Sequence, residues 1–117
     1  MNQITIWHNP RCSKSREALS ILEENDCEKE VVQYLQTNPS KEQIKNILKM
    51  LGLKPRELMR IKEDIYKELH LKDETDDEKL IEAMAKNPKL IERPVIIKGD
   101  KAIIGRPTSI VAEFIKD

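Results

Sequence analysis

The chain changes its hydrophobic period twice before Leu35, and that pattern restricts its folds more than any other feature. Residues 3–7 alternate around Ile4 and Ile6, which predicts a strand from about Gln3 to Trp7. Asn9-Pro10 breaks the alternation. Ala18, Ile21 and Leu22 then recur at i, i+3 and i+4, predicting a helix from about Ser13 to Asn25. The stretch from Glu30 to Leu35 is short and rich in β-branched residues, and predicts a second strand. A strand, a helix and a strand in so short a segment fit one right-handed crossover with parallel strands.

Helical periods follow. Ser40 and Gln43 are spaced as a capping box, Ile44, Ile47, Leu48 and Leu51 repeat on one face, and Gly52 suits the position after the last turn. Pro55 starts a short helix to about Arg60, and Glu63 to Leu69 reads as another. Thr75 and Glu78 form a second capping box before Leu80, Ile81 and Met84, and that helix should stop before Pro88. Strands return at Val95 to Lys98 and Ala102 to Ile104, joined by a two-residue turn at Gly99-Asp100. Gly105-Arg106-Pro107 opens a last helix with Ile110, Val111, Phe114 and Ile115 inward. The expectation is one α/β domain over residues 1–117, βαβ then ββα, with residues 40–92 as a helical insert between the second and third strands.

Lys and Arg number 21, as do Asp and Glu, and a net charge near zero argues against bulk binding to nucleic acid or an anionic membrane. Trp7, Tyr34, Tyr66 and Phe114 are too few aromatics for a base-stacking surface. No apolar run matches a membrane span and no signal peptide precedes the first strand, so a cytoplasmic location is expected. The two cysteines then read as free or catalytic rather than as a structural disulfide. Two Cys and two His at these spacings do not suggest a zinc site, and no metal is expected.

Cys12 lies between the end of a strand and the first turn of a helix. Unpaired backbone N–H groups and the positive end of the helix dipole favour a thiolate there, and favour a bound anion. Arg11, Lys14 and Arg16 surround it, and no acidic residue occurs before Glu17. Cys-x-x-Ser, with Ser15 in place of a second cysteine, describes a single-thiol nucleophile that needs an outside thiol for turnover. Low-molecular-weight phosphatase chemistry is excluded, because Cys-x5-Arg would need arginine where Ala18 stands. Cys27 reads as a small apolar residue near the helix end, His8 as a local partner of the loop, and His70 as a surface residue. Arg93 before Pro94 and Arg106 after Gly105 sit where strand ends could turn them toward the Cys12 loop. Spacing does not separate Arg60 from Arg56. Guanidinium groups around a thiolate would hold a tetrahedral oxyanion through paired hydrogen bonds.

The stretches HNPRCSKSRE, LKMLG with RELMR, NPKLIERPVII and IGRP together resemble the glutaredoxin-coupled arsenate reductases over the whole chain, nearest their chromosomal branch. The resemblance implies a thioredoxin-like fold with Pro94 as a cis proline facing the site. It implies Cys12 as nucleophile, Arg60, Arg93 and Arg106 as oxyanion ligands, and His8 and Ser15 as supports of the thiolate. The implied reaction takes arsenate to arsenite: Cys12 attacks arsenate, glutathione as co-substrate displaces the adduct's oxygen, and glutaredoxin resolves the mixed disulfide. No bound cofactor is implied, and a monomer is expected. Two other readings are a redox-sensing transcription regulator that binds RNA polymerase, and a glutathione-dependent thiol reductase that does not use arsenate. Retention of His8-Asn9-Pro10 with the three arginines favours the arsenate enzyme.

Overall fold

The computed structural model describes residues 3–116, which divide into two compact units, residues 3–37 with 93–116, and residues 38–92. The first unit carries the sheet. Its elements are β1 (Ile4–Trp7), α1 (Ser13–Glu24), β2 (Lys29–Val32), α2 (Tyr34–Thr37), β3 (Val95–Lys98), β4 (Lys101–Ile104) and, numbered in chain order, α7 (Ser109–Lys116). The strand order is β2-β1-β3-β4. β1 pairs parallel with β2, from Ile4 opposite Lys29 to Trp7 opposite Val32, and antiparallel with β3, where Trp7 faces Val95. β3 and β4 form the hairpin, with Gly99 at φ +61° in its turn, a left-handed conformation that glycine adopts without steric cost. This is the thioredoxin-like α/β arrangement.

β1 is central, so its alternation is buried on both faces. Ile4 and Ile6 join Ala18 and Leu22 of α1, Ile96 of β3 and Val111 of α7 in one cluster, with Phe114, Ile115 and Cys27 packed at its margin. Full burial of a side chain such as Leu22 contributes about 1.5–3 kcal/mol. On β1's other face Trp7 stacks on Tyr34, ring centroids 6.1 Å apart. The expected second strand therefore ends early. Tyr34 and Leu35 belong to the short helix α2, and Tyr34 is fully buried there. Ile110, expected inward, is 37% exposed, while Val111 takes the core position.

The second unit contains α3 (Lys41–Leu51), α4 (Pro55–Leu58), α5 (Asp64–Glu68) and α6 (Asp77–Lys86), with single 3-10 turns at Leu71–Asp73 and Pro88–Leu90. The Ser40–Gln43 capping box closes reciprocally at 3.1 and 2.9 Å, and Gly52 ends α3 in the left-handed conformation. α6 is capped differently from the expectation. Asp76, not Thr75, is the N-cap, and its carboxylate accepts the Glu78 N–H at 3.0 Å. A bridge between Met59 and Ile91 ties the residue after α4 to the end of this unit. Among the described residues no helix is long and apolar enough to cross a membrane.

Candidate active site

The site begins where β1 ends. Asn9 to Cys12 is a tight turn, closed by the Cys12 N–H donating to the Asn9 carbonyl at 3.0 Å, with Pro10 in the second position that its ring angle suits. The Asn9 side-chain oxygen accepts the Arg11 N–H at 3.0 Å. The Arg16 guanidinium reaches back to the Pro10 carbonyl, also at 3.0 Å. Cys12 is the N-cap residue of α1, with extended backbone, so its side chain lies at the positive end of a helix of 12 residues.

Ser15 connects the turn to β1. Its hydroxyl oxygen accepts the Asn9 N–H at 3.0 Å and lies 2.7 Å from His8 Nδ1. Burial, then the nearby Arg16 charge, lowers the His8 imidazolium from its ordinary value, against a smaller upward pull from Ser15. The ring is therefore neutral at pH 7, and Nδ1 and the Ser15 hydroxyl share one hydrogen bond. Ser15 and His8 are 0% and 5% exposed, so this pair is shielded from competing water.

Two arginines converge on the sulfur from the β3 and β4 ends. Arg106 Nη2 lies 3.6 Å from Cys12 Sγ, while Arg106 Nε donates to the Arg93 carbonyl at 2.8 Å. Burial pushes the Cys12 thiol up, but the Ser15 N–H, the Arg93 guanidinium and the Lys14 N–H together hold it below its ordinary value. Arg93 Nε is buried and, among the described residues, has no hydrogen-bond acceptor. A buried donor of this kind beside a thiolate can donate to an anion's oxygen.

The Arg93–Pro94 peptide is cis, and so is Arg106–Pro107, which nothing in the sequence suggested. Pro94 and the IGRP turn meet closely: the Gly105 N–H donates to the Pro94 carbonyl at 2.9 Å. A Cβ on Gly105 would lie 3.0 Å from Pro94 Cγ and 3.2 Å from Val111 Cγ2. Gly105→Ala is therefore expected to destabilise by ~1–3 kcal/mol, since neither a proline ring nor a buried valine can swing aside. Urea unfolding measures this, and an unchanged midpoint would mean that the two loops separate freely.

Arg60 belongs to the helical unit. It is held there by Glu63 at 2.6 Å and Glu92 at 3.5 Å. Arg56, indistinguishable from it by spacing, is spent inside the same unit on Tyr66 Oη and the carbonyls of Leu71 and Glu74. Sequence reasoning missed the loop bond of Arg16 and the anchoring of Arg106 on the Arg93 carbonyl. The first had a signal in its position one turn into α1. The second had none, because it joins residues brought together only by the hairpin. His70 is exposed, and Cys27 is free and partly buried.

The lowered thiol gives a direct expectation. Thiolate absorbance of the Cys27→Ser variant should titrate below the free-thiol value of ~8.5. A midpoint at or above it contradicts the activated state. Because the folded value is the lower one, ionisation of Cys12 stabilises the fold above the ordinary thiol range. That contribution is lost as the pH falls through the lowered value.

Comparison with known proteins places this arrangement. The model of the ArsC family matches residues 7–114. An arsenate reductase of Neisseria meningitidis is 50% identical over 109 residues, 92% of this chain and 93% of that protein. YfgD of Escherichia coli K12, an uncharacterized protein, is 53% identical over 115 residues, 97% of each. The solved structure of an arsenate reductase from Vibrio cholerae superposes with a TM-score of 0.94 at 46% identity, covering 97% of this chain and 98% of that one.

Proposed function

From the premise that this chain belongs to the ArsC family, we propose that it is an arsenate reductase in which Cys12 is the nucleophile and glutathione and glutaredoxin supply the reducing thiols. The observation that carries this reading is the pairing of a stabilised Cys12 thiolate with the unpaired, buried Arg93 Nε and the Arg106 guanidinium. A tetrahedral oxyanion needs donors fixed around it and a nucleophile within reach of its central atom. Guanidinium groups meet the first need, since they stay charged and donate two parallel hydrogen bonds.

The Cys12 thiolate attacks arsenic, and an arsenate oxygen leaves as water after taking up protons. Arg93 and Arg106 bind the remaining oxygens. Glutathione then displaces the adduct's second oxygen. Arsenic gains two electrons and leaves as arsenite, while the two sulfurs lose two and join as a Cys12–glutathione disulfide. Glutaredoxin exchanges its thiol into that disulfide and restores Cys12. His8 and Ser15 act through position: the Ser15 N–H favours the thiolate and its hydroxyl pairs with His8, which keeps the first turn of α1 beside the sulfur. Pro94, next to Arg93, accepts the Gly105 N–H and so joins the loops that carry Arg93 and Arg106. The reaction runs in the cytoplasm, where both thiol donors are kept reduced, and the protein acts as a monomer with no bound cofactor.

The test is arsenite formation from arsenate with glutathione and glutaredoxin, repeated with each omitted. Turnover should need all three. A protein that makes no arsenite but still exchanges its Cys12 thiol with glutathione disulfide is a thiol reductase of another substrate.

A further inference from the structure

The geometry points to Arg11 as the binding site for a carboxylate of the incoming anionic thiol, so that the exposed tip of the Cys12 turn selects charged over neutral thiols. This inference rests on the reading that glutathione is the reductant.

The cations around the sulfur are otherwise committed. Arg106 spans the Arg93 carbonyl and the Cys12 sulfur. The Arg93 guanidinium faces the thiolate. Arg16 holds the Pro10 carbonyl. Lys14 shares its charge with Glu17 at 3.8 Å. Arg11 is exposed, and among the described residues its guanidinium makes no hydrogen bond or ion pair. Its main chain, by contrast, is fixed. It occupies the third position of the Asn9–Cys12 turn, and its N–H is bound to the Asn9 side chain at 3.0 Å. An exposed charged side chain thus leaves a fixed main chain one residue from the nucleophile.

The second substrate of such a site arrives from solvent, after the oxyanion has taken Arg93 and Arg106. Glutathione carries two carboxylates and one ammonium besides its thiol, so it brings net negative charge to a turn whose Arg11 side chain is exposed and unpaired. A guanidinium pairs a carboxylate in two parallel hydrogen bonds. Held at Arg11, the co-substrate presents its sulfur to the Cys12 adduct instead of approaching at random.

Thiol–disulfide exchange tests this without arsenate. The Cys12 thiolate attacks one sulfur of a disulfide, the S–S bond breaks, a mixed disulfide forms at Cys12 and the other half leaves as a thiolate. Rates are measured by mass spectrometry of the Cys12 peptide with glutathione disulfide and with uncharged hydroxyethyl disulfide. Arg11→Gln should slow the first reaction about fivefold, the order of one exposed ion pair, and leave the second unchanged. Arg11→Lys should recover part of the loss, and salt near ~1 M should erase the difference. Equal effects on both disulfides, or none, overturn the assignment. Because arsenate is absent, a failure of the arsenate reading appears only in the turnover assay, and a failure of Arg11 only here.

Discussion

Cys12→Ser is expected to abolish arsenite formation, whereas Cys27→Ser should keep most of it. The serine hydroxyl is not ionised near neutral pH, so the helix end and the two arginines would have no thiolate to stabilise. Cys27 cannot substitute for Cys12 or resolve its adduct. The two cysteines flank the 12 residues of α1, which at 1.5 Å per residue is a separation of ~18 Å. A disulfide needs Cα atoms within about 7 Å. Cys27 packs against the cluster around Leu22 and Ile4, and its N–H is held by the Leu22 carbonyl at 3.2 Å. Bridging the cysteines would unwind the helix whose first turn stabilises Cys12. The measurement is arsenite release by both folded variants with saturating glutathione and glutaredoxin. If Cys27→Ser were as inactive as Cys12→Ser, the single-thiol mechanism would have to be abandoned.

Arg93→Lys and Arg106→Lys are each expected to lower kcat/KM for arsenate roughly ten- to a hundredfold, the equivalent of ~1.5–3 kcal/mol for one lost charge-assisted contact. The charge survives in both variants, so the loss isolates the geometry of the guanidinium. Arg106 uses Nε on the Arg93 carbonyl and Nη2 toward the sulfur at the same time. A single ammonium on a flexible stem can do one or the other. At Arg93 the unpaired donor is Nε, which lysine cannot place beside the chain, so that contact to the oxyanion is lost. The thiol titration should shift less than the kinetics, because a cation remains near Cys12 in each variant. Wild-type kinetics in both would remove these arginines from the site.

Much of the local architecture was legible because it depends on residues a few positions apart. The capping box of Ser40 and Gln43, the left-handed Gly52 and the Gly99 turn all follow from backbone groups that nearby side chains must satisfy. The same holds for the nucleophile. Pro10 sets the turn, Cys12 starts the helix, and Ser15 follows within one turn, so the anion-favouring loop is written in one stretch. One error arose where a distant partner outweighed local preference, and another where an adjacent residue took over the cap. Tyr34 and Leu35 have strand-like composition, yet Tyr34 is drawn into a helical turn by stacking on Trp7. At α6, Thr75 had the right spacing to Glu78, but Asp76 offered its carboxylate to the Glu78 N–H instead.

What the sequence alone determined, then, is the thiol and its loop: a cysteine with helix N–H groups ahead of it, bases beside it and no second cysteine within a turn. Those properties are short-range and survive any arrangement of the distant chain. The tertiary structure decided which of many arginines could serve that thiol. Arg106 is 94 residues from Cys12 in sequence, and it meets the sulfur only because β3 pairs beside β1 and β4 returns beside β3. The Gly105–Pro94 contact then locks the two arginine-bearing loops together. The charge on an arginine is the same wherever it lies. Its use depends on which acceptors the fold has already given it, and those acceptors separate Arg56, consumed by three oxygens, from Arg93, left with one buried donor to give.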